Sequence, residues 1–328
     1  MIYNQWYAIL ESKEVKKGRI VGVTRLGERL VLWRTGDGRV VCLKDRCAHR
    51  GAALSAGRIE GKCVECPFHG FRYDSTGRCT LIPAQGRGRP VPENFKVRSY
   101  AVREAYGFIW MYWGDRTEDL PAIPFFEDLD ETFSYATFKD PWPVHYSRAV
   151  ENQLDVVHLP FVHRTTIGRG GRTIVHGPRV DLGDDTMRIW MHNEVDRGQE
   201  ALKPEQIRES DSPVVLIFRF PHAWQNRIGD RVRATLCFVP VDESNTLIYM
   251  RYYHRLTPVP GVRQLITFFG KLFSIVILRQ DKRVVVTQRP VKTRLKMGEN
   301  LVQGDLPIAI YRRRREELLA ASPPPGPD

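Results

Sequence analysis

Two loops near the start of the chain each pair a thiolate with an imidazole. Cys47 and His49 stand in Cys47-Ala48-His49-Arg50-Gly51, and Cys66 and His69 stand in Cys66-Pro67-Phe68-His69-Gly70. Four such donors can hold zinc, but zinc pairs commonly repeat one ligand kind within each pair. Here the kinds are mixed within each half. A [2Fe–2S] cluster with two Cys on one iron and two His on the other needs that mixing, because each loop then gives one ligand to each metal. Imidazole in place of thiolate also raises the reduction potential. These residues point to a one-electron centre, with structural zinc as the alternative. Cys63 makes a Cys-x-x-Cys pair with Cys66 but lies in a strand-like approach. It reads as a core thiol, as do Cys42, Cys79 and Cys237.

A second constellation runs from Asn152 to His163, with Asp155, His158 and His163 as its possible ligands. Residues five apart on one ideal helix are rotated by about 140°, so the two rings would diverge. Pro160 cannot continue helical hydrogen bonding and predicts a bend after Leu159 that swings His163 back toward His158. Asp155 falls on the same face as His158 in a helix predicted over Ala149–Leu159, placed to accept a hydrogen bond from the imidazole. Two His and a carboxylate with open positions form the ligand set of non-haem Fe(II) sites.

The first pair of loops resembles a Rieske domain over about residues 1–116. The pattern Asn-x2-Asp-x2-His-x4-His downstream of it resembles the Rieske non-haem iron oxygenase family, over essentially the whole chain. Respiratory Rieske proteins carry an extra Cys in each loop. Ala52 and Phe68 take those places here, so no loop disulfide is expected and the loops resemble the oxygenase and ferredoxin kind. Phe71 departs from the Trp common after His-Gly. The family's third iron ligand is an acidic residue on a late helix, which Asp281 in Arg279-Gln280-Asp281-Lys282-Arg283 matches. A carboxylate beside Ile275–Leu278 is costly unless paired or metal-bound. Pattern alone leaves Glu194, Asp196, Asp211 and Asp242 as competitors.

The resemblance implies an α+β chain, with an all-β Rieske [2Fe–2S] domain over 1–116. A helix-grip (START-like) catalytic domain with a curved antiparallel sheet follows over 117–328. It further implies a terminal oxygenase that uses O2 at a mononuclear Fe(II) centre. Electrons come from NAD(P)H through a separate reductase, with or without a ferredoxin, because the chain has no flavin, nicotinamide or plant-type ferredoxin fingerprint. In the family's homotrimeric ring Asp155 would bridge its own His158 and the His69 of a neighbouring subunit, with Asn152 near the iron. Short chains of this kind resemble the branch containing vanillate and dicamba demethylases. That favours monooxygenase chemistry, hydroxylation or oxidative demethylation of a small aromatic or polycyclic substrate, over a cis-dihydroxylating dioxygenase. The reading from another class is a Rieske electron carrier with an attached ligand-binding domain, which needs no second iron.

The elements that must position these residues follow from patterning. β-rich runs separated by Gly turns fill the first 116 residues, among them Leu30–Trp33, Val40–Leu43, Val97–Val102 and Phe108–Tyr112. A Gly/Asp/Pro-rich stretch, Gly114–Pro124, marks the domain change. Strand-like runs then appear at Phe133–Phe138, Arg188–Val195, Val214–Phe220, Arg231–Val239 and Thr246–Tyr253. A helical pattern spans Gly261–Gln288. Phe218–Trp224 and Ile248–His254 are candidate pocket walls. His222 and His254 read as structural, and His145, His176 and His192 carry no spacing signal. Arg312–Arg315 reads as an exposed helix end.

Composition narrows the class. The chain has 328 residues with 27% charged and six Cys, an ordinary globular mix far too poor in Cys for a disulfide scaffold. No signal segment opens it, and the apolar run Leu265–Leu278 is broken by Gly270 and Lys271. A cytoplasmic protein without a membrane span is expected. Of the net +12, residues 1–116 hold 21 Lys/Arg against 11 Asp/Glu, and the remainder 29 against 27. Scattered cations with no recognition motif argue against nucleic acid. Concentrated on the first domain, they suit docking of an acidic electron donor.

Overall fold

The computed structural model describes residues 1–115, 119–211 and 214–322. One compact unit ends at Ile123 and a second begins at Pro124. The boundary expected between 116 and 117 falls outside the described residues.

Short antiparallel strands build the first unit. β1 (Gln5–Glu11), β2 (Val21–Arg25), β3 (Glu28–Arg34), β4 (Val40–Lys44) and β5 (Arg58–Glu60) lead to β6 (Cys63–Glu65) and β7 (Arg72–Tyr73). β8 (Cys79–Leu81), β9 (Ser99–Tyr100), β10 (Val102–Ala105) and β11 (Phe108–Trp113) complete it. They form three sheets, β1-β11-β10, β2-β3-β4-β9 and β5-β6-β7-β8. The run expected as one strand over Val97–Val102 is split, because the chain leaves β4 after Tyr100 and joins β11 from Val102. Period-two alternation buries β3 on both faces. Leu30 and Leu32 pack with Tyr7, Ile9 and Met111, while Val31 and Trp33 pack with Leu54, Tyr73 and the two loop cysteines, Cys47 and Cys66. The metal-ligand loops therefore rest on a core.

The second unit is one seven-stranded antiparallel sheet carrying helices, the α+β arrangement expected. Its strands are β12 (Ser134–Trp142), β13 (Ile174–Leu182), β14 (Thr186–Glu194), β15 (Val214–Arg219), β16 (Ala223–Ile228), β17 (Val232–Pro240) and β18 (Thr246–His254). Their spatial order is β12-β18-β17-β16-β15-β14-β13. The helices are α1 (Tyr146–Leu154), α2 (Leu159–Val162), α3 (Pro260–Val285) and α4 (Leu306–Ala321). Pairing registers put Phe218, Trp224, Leu236, Met250 and Tyr252 on one face of the sheet. α3 crosses that face over β12 and β18, closest at Gly270, where a Cβ would lie 2.1 Å from the Tyr252 ring. On α4, Tyr311 meets Phe218 edge-on and stacks on Phe220.

One expectation is corrected here. Arg312 and Arg315 are not an exposed helix end; they are 4% and 3% exposed on the inner face of α4. Arg312 forks onto Glu151 with two 2.8 Å bonds, and Arg315 donates to the Tyr146 hydroxyl at 3.0 Å. Paired and hydrogen-bonded guanidiniums tolerate burial. The run Leu265–Leu278 lies within the 26 residues of α3, which continues unbroken through Gly270 and Lys271. By length and composition alone that helix could cross a membrane.

Candidate metal centres

The second unit brings His158, His163 and Asp281 together, with one donor atom from each lying within 4.8 Å of the others. The local fold differs from the expected bent helix. α1 stops at Leu154, and Asp155 caps the turn that follows by accepting the N–H groups of Val157 (2.7 Å) and His158 (3.1 Å). α2 then starts at Leu159 with Pro160 in its first turn, where a missing N–H costs nothing. The chain therefore turns before His158, not after Leu159, and His163 closes α2. The two rings end 5.2 Å apart at 66°.

Asp281 projects from the buried face of α3. Its Oδ1 lies 3.0 Å from His163 Nε2 and 3.4 Å from His158 Nε2. Gln153 Nε2 donates to Asp281 Oδ2 at 3.2 Å, and Asn152 Nδ2 reaches Oδ1 at 3.5 Å. His163 Nδ1 bonds Gln280 Oε1 at 2.8 Å, and Thr166 donates to the same oxygen at 2.9 Å. An Nδ1–H held this way leaves the Nε2 lone pair facing Asp281. Gln280 and Gln153 were not anticipated, and their only signal in the sequence is adjacency to Asp281 and Asn152. Asp155 Oδ1, which accepts the backbone cap, lies 3.7 Å from His158 Nδ1, beyond a hydrogen bond.

The electrostatics describe a site short of positive charge. Burial alone would lower the His158 pKa, but the Asp155 and Asp281 carboxylates outweigh it and hold the imidazolium at about 10. Burial likewise opposes ionisation of Asp281, and its two histidines still bring its pKa below the ordinary carboxylate value. Two imidazole nitrogens and a carboxylate converging in a water-poor site suit a divalent ion with N/O ligands, Fe(II) included. The competing acids are engaged elsewhere. Glu194 pairs with His176 at 2.9 Å, Asp196 accepts the Gly198 N–H, and Asp242 caps the Ser244–Asn245 turn. The side chain of Asp211 lies outside the described residues.

The two loops of the first unit have the same hydrogen-bond pattern. Cys47 N–H donates to Ala52 and Cys66 N–H to Phe71, each at 2.8 Å. Gly51 and Gly70 N–H return to the carbonyls of Cys47 and Cys66 at 2.9 and 3.1 Å. The two glycines take φ of 75° and 72°, a left-handed conformation that disfavours a side chain. Both cysteines are buried and both histidines exposed, with the imidazole centroids 4.8 Å apart. Phe71 stacks parallel on His49 at 4.8 Å. Burial and then the neighbouring Cys47 thiol raise the pKa of Cys66, a cost that metal coordination removes. The Tyr73 hydroxyl lies 3.1 Å from Cys47 Sγ and accepts the Ala48 N–H at 3.1 Å, leaving its own proton for the sulfur. Two buried sulfurs below two exposed imidazoles fit a cluster with a histidine edge toward solvent. All six cysteines are free, and the two loops, with Ala52 and Phe68, are not joined by a disulfide.

Residues 5–101 match the Rieske [2Fe-2S] domain, and residues 142–321 match the vanillate O-demethylase oxygenase C-terminal domain. The chain is 31% identical over 204 residues to the toluene-4-sulfonate monooxygenase system iron-sulfur subunit TsaM1 of Comamonas testosteroni, covering 59% of this chain and 56% of that protein. It is 30% identical over 322 residues to protein TIC 55 of Arabidopsis thaliana, covering 94% and 58%. The solved structure of NdmA from Pseudomonas putida superposes with a TM-score of 0.78 at 24% identity, over 97% of this chain and 91% of that one. The chain spans about half the length of the curated relatives it matches.

Proposed function

The chain belongs to the Rieske oxygenases of the vanillate O-demethylase type, and from that premise we propose that it is a terminal oxygenase component. It would hydroxylate or oxidatively demethylate a small aromatic or polycyclic substrate. The observation that carries the reading is the convergence of His158, His163 and Asp281 in a chain that also holds the Cys47/His49 and Cys66/His69 loops. When bound, the cluster supplies one-electron transfer and the mononuclear iron supplies O2 activation.

The residues of the chain divide the remaining tasks. His158, His163 and Asp281 hold the mononuclear iron. Gln280 fixes the His163 tautomer, and Gln153 and Asn152 steady the Asp281 carboxylate. Asp155 is the bridge from His158 to the His69 of a neighbouring subunit in a homotrimer. Its carboxylate is partly open to solvent, as a bridge between subunits needs. Among the described residues Trp224 Nε1 and Asn226 Oδ1, buried on the sheet face that α3 covers, have no hydrogen-bond partner. They suit a substrate with an aromatic surface and one group able to hydrogen bond. Electrons reach the chain from NAD(P)H through a separate, acidic reductase or ferredoxin that docks on the basic first unit, in the cytoplasm.

Turnover with a surrogate reductase across methoxyaromatics, heteroaromatics and steroids tests the reading. Substrate-dependent O2 uptake with formaldehyde or a hydroxylated product is expected. A cis-diol would move the assignment to dioxygenation. Absence of product from metal-replete protein with every class would refute it.

A further inference from the structure

The outer face of α3 carries a run of exposed apolar side chains. Toward the sheet the helix turns Thr267, which bonds His254 at 2.8 Å, then Gly270 against Tyr252, then the buried Ser274, Leu278, Asp281 and Val285. Away from the sheet it turns Leu265, Phe268, Phe269, Leu272, Phe273 and Val276, which are 42–62% exposed. Spaced by threes and fours, these six residues make one stripe about 16 Å long. A contiguous apolar stripe of that size in water marks an interaction surface.

The charges that α3 itself carries along it have one sign. From Pro260 to Gln280 the helix carries Arg263, Lys271 and Arg279 and neither Asp nor Glu. Arg279 and the next exposed cation, Arg283, lie three and seven residues beyond Val276 and so prolong the stripe's own line. A second copy seated here by twofold symmetry would bring these cations against themselves, which costs free energy. Crossing a bilayer is excluded because the same helix holds Asp281 buried among the metal-site residues, 2% exposed. An apolar stripe whose own helix adds only cations beside it complements the surface of an anionic bilayer, in which acyl chains lie beneath phosphate groups.

We propose that the outer face of α3 docks the protein flat on an anionic lipid bilayer. Leu265, Phe268, Phe269 and Leu272 enter the headgroup–acyl boundary, and Lys271, Arg279 and Arg283 meet the phosphates. The proposal rests on this face alone and is independent of the reaction the metal centres perform.

Flotation of the full-length, metal-loaded protein with vesicles tests it. Vesicles of phosphatidylcholine alone are compared with vesicles in which a quarter of the lipid is phosphatidylglycerol. The protein should float with the anionic vesicles at low salt, and at least tenfold less with the neutral ones or at high salt. Phe269→Ser/Leu272→Ser and Lys271→Glu should each lower anionic-vesicle binding at least tenfold, with unchanged circular dichroism and cluster absorbance. Flotation with neither vesicle, or equally with both, would overturn the proposal. So would a fall in sedimentation mass in the Phe269→Ser/Leu272→Ser variant without lipid, which would give the stripe to a second copy.

Discussion

Glu151 ties the helix that leads into the metal motif to the C-terminal helix, and its loss should be costly. Its carboxylate accepts two 2.8 Å bonds from Arg312 and a 3.2 Å bond from Arg148. Arg148 and Arg312 are 3% and 4% exposed. In Glu151→Ala both guanidiniums stay buried and are left to share the one carboxylate of Glu299 among the described residues, a side chain 30% exposed. Removing one partner of a buried pair costs about 3–5 kcal/mol, most of it from the charge left behind. For a unit near 200 residues each kcal/mol lowers Tm by about 2–4 °C, so a fall of about 6–20 °C is expected. Near-ultraviolet circular dichroism during thermal melting reads this. The cluster's visible absorbance, which belongs to the other unit, serves as the internal control. Because α1 carries Asn152 and ends at Asp155, mononuclear iron should be lost at the same temperature. Replacing Glu151 and Arg312 together by Met should restore much of the loss, since apolar substitution of a whole buried pair is often close to neutral. A Glu151→Ala melt within 2 °C of wild type (about 1 kcal/mol or less) would refute the reasoning.

Further predictions concern pH and the metal shell. Burial pushes His145 and His222 down to about 3, so between pH 6.5 and 3 only the unfolded chain takes up their protons. Stability therefore falls as pH drops below 6.5, by about 2 kcal/mol per histidine at pH 5. Melting at pH 7 and pH 5 should show a drop that His222→Phe roughly halves, and equal melting points for wild type would contradict it. Gln280→Leu removes the acceptor that orients His163. It should weaken mononuclear iron binding about 10–100-fold in chelator competition, with the cluster intact. Asp155→Asn should leave both metal centres loaded yet abolish coupled turnover, and near-normal product formation would reject the bridge.

Much of the chemistry was legible because it depends on residue type at fixed spacing. Cys47, His49, Cys66 and His69 announce themselves this way, and the paired loops repeat one backbone pattern around them. His158 and His163 converge, but through a turn before His158 rather than the bend after Leu159 that Pro160 suggests. Pro160 starts a short helix, and one oxygen of Asp155, Oδ1, caps backbone N–H groups, which spacing does not reveal. Arg312 and Arg315 looked exposed because a basic run normally is. Their burial depends on Glu151, Glu299 and Tyr146, which meet them only in the fold. β13 contains Gly177-Pro178 at a register shift, and β16 contains the fully buried Gln225. Breaker and polar signals therefore hid both strands. Gln225 is tolerable inside because it donates to Asp128 at 3.1 Å, a partner far away in sequence.

Iron counting on anaerobically purified protein tests the central claim most directly. Three irons per chain are expected, two in the cluster and one held by His158, His163 and Asp281. Asp281→Ala should contain two, with its cluster absorbance unchanged. Two irons per wild-type chain, unaltered by that substitution, would contradict the account and leave an electron carrier in its place.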